Sequence, residues 1–102
     1  MRYVFYDPMM DYHQLVQQLT DPATRDMARD TLLRLDEAAV EPLVDQFYAG
    51  VNEATGLAIL EILATIGGYE ALLLMQDVHL NGAQYPAWAE MAVQALKDGG
   101  WL

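Results

Sequence analysis

The chain has no cysteine and no serine. Without cysteine there is no disulfide, no thiolate zinc site, no iron–sulfur cluster and no thiol nucleophile. That absence suits a reducing compartment, and a cytoplasmic location is the expectation. Without serine, the Ser-His-Asp triad and the strand-to-helix nucleophile elbow are gone as well. Positive charge is scarce: 5 Lys and Arg stand against 15 Asp and Glu, a formal net charge of −10. Such a chain repels phosphate backbones and lacks the basic footprint of a nucleic-acid binder, so no nucleic acid is expected as a partner. Long apolar runs are missing too. The longest, Leu57 to Gly68, is interrupted by Glu61 and is too short to span a bilayer, so no membrane partner is expected. The opening Met1-Arg2-Tyr3-Val4-Phe5-Tyr6-Asp7-Pro8 does not read as a signal peptide, because Asp7 and Pro8 break its short apolar stretch.

What is present is core material. Apolar residues make up 54% of a chain of 102 residues, which is enough for one folded domain over 1–102. Four helix starts are marked by a cap or by proline in the first turn: Asp7-Pro8, Asp21-Pro22, Asn52-Glu53 and Tyr85-Pro86. Glycines at Gly50, Gly67-Gly68, Gly82 and Gly99-Gly100 mark the stops. Between these marks the apolar spacing is helical, and it predicts helices over about 8–19, 22–35, 37–49, 53–66, 69–80 and 86–98. Tyr12, Leu15, Val16 and Leu19 share one face of the first; Met27, Ala28, Thr31, Leu32 and Leu35 one face of the second; Val40, Leu43, Val44 and Phe47 one face of the third. The fourth is apolar nearly all round and needs cover on several sides. Only Tyr3 to Tyr6 offers a possible strand, as a short arm.

The chain also repeats itself. A shift of 31 residues lays Ala28 on Ile59, Leu32 on Leu63, Leu35 on Ile66, Leu43 on Leu74 and Val44 on Met75, and a further 33 lays Ile59 on Ala92 and Leu63 on Leu96. The unit is a helical hairpin, and one hairpin cannot bury its own apolar face, so it stacks on neighbours. The expected fold is all-α: a short α-solenoid of about six antiparallel helices. It divides into an N-terminal arm and capping helix (1–20), a first repeat (21–50), a second (51–82) and a C-terminal half repeat (83–102).

The run from Ala28 to Val44, with Leu32-Leu33-Arg34-Leu35-Asp36 leading into Ala39-Val40-Glu41-Pro42-Leu43, resembles a HEAT-like repeat of the phycobilisome-lyase type. Leu63-Ala64-Thr65-Ile66-Gly67 is similar to the turn of the same repeats. The resemblance covers roughly residues 20–100. It implies an armadillo-like α-solenoid whose second helices line a concave binding face, in a family of scaffolds, regulatory subunits and components of bilin-attaching lyases. The second repeat here departs by lacking the Glu-Pro of the first, and the last unit has only its first helix.

Candidate chemistry is thin. Glu37, Glu41 and Asp45 fall at i, i+4 and i+8 and share a stripe on the third helix. If that helix faces the concave side, Tyr48, Glu70 and Asp77 lie near it. These six residues are the candidate partner-binding set, an acidic face for a basic or helical protein segment; the alternative is a solvated helix face. Arg25, Arg29 and Arg34 alternate with Asp26 and Asp30 at ion-pair spacing and read as a self-paired surface, with an anion site on Arg25 and Arg29 as the weaker alternative. His13 and His79 are on different helices, and no base stands beside Thr20, Thr24, Thr31, Thr55 or Thr65. No catalytic residue, metal site or cofactor is assigned, and an enzyme is not expected. Aromatic residues crowd both ends, with Tyr3, Phe5, Tyr6 and Tyr12 at one and Trp88 and Trp101 at the other. Self-association through the N-terminal aromatic arm is one expectation. Another is association through the uncapped sixth helix, where Met91 and Ala95 are expected to face outward. The leading functional expectation is a protein-binding adaptor or scaffold. The alternatives are an accessory subunit of a modifying enzyme, as the lyase resemblance implies, and an acidic inhibitor that mimics nucleic acid.

Overall fold

The computed structural model describes residues 12–102, and these form six α-helices without a strand. They are α1 (Tyr12–Gln18), α2 (Arg25–Leu35), α3 (Glu37–Ala49), α4 (Glu53–Ile66), α5 (Tyr69–Leu80) and α6 (Pro86–Asp98). The aromatic arm of Tyr3, Phe5 and Tyr6, its possible strand and the Asp7-Pro8 helix start lie outside the described residues.

The last four helices have the bounds their caps predict. At α4, Asn52 is extended and its Oδ1 accepts the Thr55 N–H at 2.8 Å. At α6, Pro86 opens the helix. Its end is a Schellman turn: Trp101 N–H donates to the Leu96 carbonyl at 2.8 Å and Gly100 N–H to that of Lys97 at 3.1 Å, with Gly100 at φ 78°. That turn folds Trp101 back onto the core.

The start of α2 differs from the expectation. Asp21-Pro22 does not open the helix; Asp21 Oδ1 accepts the Ala23 N–H at 2.9 Å and makes a turn, and the helix begins at Arg25. The residues between serve α1. Thr24 Oγ1 donates to the Gln18 carbonyl at 2.8 Å, and Arg25 Nε donates to the Leu19 carbonyl at 2.8 Å. Carbonyls left orphaned at the end of α1 are thereby satisfied.

Each helix packs against those one and two places along the chain, and among the described residues none packs against a helix three or more places away. Helices α1, α3 and α5 therefore form one layer and α2, α4 and α6 a second, with the core between them. Positions related by the sequence repeat play the same part: Ala28, Ile59 and Ala92 are buried, as are Leu32, Leu63 and Leu96, and Leu43 and Leu74. The all-round apolar character of α4 follows from its place, since α2, α3, α5 and α6 all pack on it. Trp88 of α6 packs against Gly56 of α4, where a Cβ would stand 2.1 Å from the indole. Its Nε1 donates to the Glu53 carbonyl at 3.0 Å, and Phe47 and Tyr85 close around it.

Trp88 is buried on the inward side of α6. One expectation about this end of the chain is corrected here. Ala95 is buried and Met91 half-buried against the core, so α6 turns outward not an apolar strip but Glu90, Gln94, Lys97 and Asp98. The reason is angular: α6 rests on both α4 and α5, which takes up the wider apolar arc.

Candidate functional site

Among the described residues, and histidine apart, the charge on the α1, α3 and α5 layer is of one sign. Helices α3 and α5 carry Glu37, Glu41, Asp45, Glu70 and Asp77 and no lysine or arginine. The α2, α4 and α6 layer holds six carboxylates but also Arg25, Arg29, Arg34 and Lys97. The net charge is thus carried unevenly, and the acidic side is the one with the candidate residues.

Glu37, Glu41, Asp45 and Glu70 are exposed, Tyr48 is 60% exposed and Asp77 is half-buried. The six occupy three neighbouring depressions rather than one. Glu41 and Asp45 line a cleft of about 660 Å³ between α1 and α3, which Tyr12, Pro42 and Gln46 also line. Glu37 and Glu70 face each other across a second, of about 390 Å³, where the turns before α3 and α5 meet. Tyr48 and Asp77 border a third, of about 310 Å³, at the far ends of the same two helices. Glu37 is level with Glu70 and Tyr48 with Asp77, so α3 and α5 run parallel, and the seam between them opens as a furrow at its two ends.

Tyr48 is not a free recognition side chain. Its hydroxyl donates to Asp77 Oδ2 at 2.6 Å, and Asp77 Oδ1 also accepts from Asn81 Nδ2. Partial burial of the phenol against α5, then the hydrogen bond to Asp77 and its negative charge, push the Tyr48 pKa from 10.0 up to about 12. The pair braces α3 against α5.

The basic residues are committed elsewhere. Arg29 pairs with Asp26 at 3.0 Å. Arg34 does not form the ion pair its spacing predicts; its Nε reaches the Asp30 carbonyl at 3.5 Å. Arg25 is bonded to the end of α1, so it does not stand with Arg29 as an open anion site. Threonine hydroxyls are occupied as well: Thr31 and Thr65 donate to carbonyls one turn back, Thr24 to Gln18, and Thr55 to Thr20. His79 is exposed in the last turn of α5. Among the described residues no three His, Asp or Glu side chains converge on a metal-sized site, and no helix is long and apolar enough to cross a membrane.

One feature was missed by the sequence reading. Tyr69, Leu73 and Leu80 of α5 are exposed, and at 100° per residue they fall within one narrow arc with Gln76, opposite buried Ala71, Leu74, Met75 and Val78. This apolar row is the outer bank of the furrow, beside Glu70 and Asp77. Its signal was hidden because α5 is apolar on both sides, which leaves the helical wheel without a clear inner face. Comparison with protein-family models, curated protein sequences and solved structures gave no match in any of the three.

Proposed function

We propose that the chain is a binding module: a short α-solenoid whose α1, α3 and α5 layer presents an acidic surface to a basic or helical segment of another protein. One observation carries this reading, the segregation of charge. Glu37, Glu41, Asp45, Glu70 and Asp77 stand on one layer without a lysine or arginine to offset them, while every described cation outside histidine stands on the other. A surface built only to keep an apolar protein soluble would mix the signs more evenly. One-sided charge sets orientation and raises the association rate for a partner of opposite sign. The solenoid reading rests on the restriction of helix contacts to first and second neighbours and on the recurrence of buried positions at the sequence repeat. Rigid helices suit this task, since surfaces carried on them lose little entropy on binding.

The test is a pull-down from native lysate in which salt and sequence are both varied. A partner held by this surface is released as salt rises from about 0.05 M to about 0.5 M, because exposed charges are then screened within a few ångströms. It is lost in the Glu41→Lys, Asp45→Lys double variant. A partner retained by that variant with unchanged salt dependence contradicts the proposal.

A further inference from the structure

We infer that the segment bound is an amphipathic basic helix, lying along the α3–α5 furrow with its apolar side on Tyr69, Leu73 and Leu80. The inference deepens the binding-module reading and rests on it. Leu80 is 68% exposed, Tyr69 69% and Leu73 40%, and the three run the full length of α5. Single exposed apolar residues need no explanation, but an aligned row beside a row of carboxylates is a two-part surface. On one bank lie Tyr69, Leu73 and Leu80; in and across the furrow lie Glu70, Asp77 and Glu37. The complement of such a surface is a helix with leucine-like residues along one side and lysine or arginine along the adjoining side, read at i, i+3, i+4 and i+7. An unstructured basic chain would meet the carboxylates but would not hold its apolar side chains in line along Tyr69, Leu73 and Leu80.

The furrow's length fits. Helix α3 has 13 residues, which at 1.5 Å per residue gives roughly 20 Å, room for a partner helix of about the same length. Charge argues against a second copy of this chain as the occupant, since it would bring its own unbalanced row of Glu37, Glu41 and Asp45 to the same place.

The experiment uses the full chain and two synthetic peptides of about fourteen residues, sized to the furrow. Both carry the same lysines and arginines; one has leucines along its second side and the other has glutamines there. Affinity is measured by fluorescence anisotropy at low salt for the wild type, for Leu73→Ser, Leu80→Ser, and for Glu37→Lys, Glu70→Lys, which is expected to weaken both peptides. Because Leu73 and Leu80 are exposed, the serine variant is expected to keep its melting temperature, and circular dichroism checks this. Emission from Trp101, whose ring lies 5.8 Å from that of Tyr69, gives an independent readout, isolated by a Trp101→Phe control. The expected result is that the leucine peptide binds about tenfold or more tightly than the glutamine peptide. The serine variant erases that difference, and only the leucine peptide moves the Trp101 emission. Equal binding of the two peptides by the wild type, or a serine variant that still prefers the leucine peptide, overturns the inference and leaves the acidic-surface reading standing. Failure of both peptides to bind overturns the two together. A chain that sediments as a dimer until Leu73 and Leu80 are changed overturns the inference in favour of a second copy.

Discussion

Asp36 stands between α2 and α3 with φ 54° and ψ −124°, a region suited to glycine, and it is the only described non-glycine residue with positive φ. Holding an L-residue there costs of order 1–3 kcal/mol. Asp36→Gly is therefore expected to raise the stability of the chain by about 1 kcal/mol, net of glycine's greater freedom when unfolded. Urea denaturation measures this, and a loss of stability would show that the Asp36 side chain contributes more than its backbone costs. Tyr48 gives a prediction with a pH signature. Its folded pKa of about 12 lies above its ordinary 10.0, so the protonated phenol is what the fold favours. The stabilisation is complete below pH 10, declines as the unfolded chain ionises, and is gone above about 12. Ultraviolet titration should show one late-titrating tyrosine that Asp77→Ala returns toward 10, while a late titration unmoved by Asp77→Ala would locate the cause elsewhere. At this scale the sequence was informative about identity but not about pairing. Tyr48 and Asp77 both stood among the candidates, yet their bond spans 29 residues of chain and follows only from α3 and α5 being neighbours.

Helix boundaries follow from local chemistry, and that is why four of six were legible. Asn52, Pro86, Gly67 and Gly100 each act on the backbone next to them. The start of α2 was misread because Asp21 and Pro22 make as good a turn as they make a helix opening. What decides is the use of Thr24 and Arg25 to close α1, a contact between two elements. The outward side of α5 was illegible for a related reason, since a helix apolar on opposite faces does not say which one is covered. The contact of α4 with α6 yields the clearest prediction among the elements. Gly56 closes the first turn of α4, where alanine would ordinarily gain up to about 1 kcal/mol. Here the added Cβ would collide with the buried Trp88 ring, whose nitrogen is tied to the Glu53 carbonyl. Overpacking of this kind costs about 1–3 kcal/mol or more, so Gly56→Ala should lower the melting temperature despite its propensity. An unchanged or higher melting temperature would mean that Trp88 can move aside, and the join between the two helices would be looser than described. A glycine inside a helical pattern hinted at a close approach, but nothing local named Trp88, 32 residues away, as what approaches.

The two-layer arrangement and the uneven charge arise together at the scale of the whole molecule. Because each described helix packs only on its first and second neighbours, a charge bias between alternate helices becomes a bias between faces. The acidic stripe on α3 was visible as a spacing of four. The apolar bank on α5 became visible only once the neighbours that cover Ala71, Leu74, Met75 and Val78 had identified the inner face of that helix. On the reading proposed above, a partner docks on this face and not on the mixed-charge one. The decisive measurement is nuclear magnetic resonance mapping of the labelled chain during titration with a basic amphipathic peptide. The perturbed amides are expected to cluster on α3 and α5, around Glu37, Glu41, Tyr48, Glu70, Leu73 and Asp77. Perturbations centred on α2 and α6, or spread without preference over both layers, would contradict it.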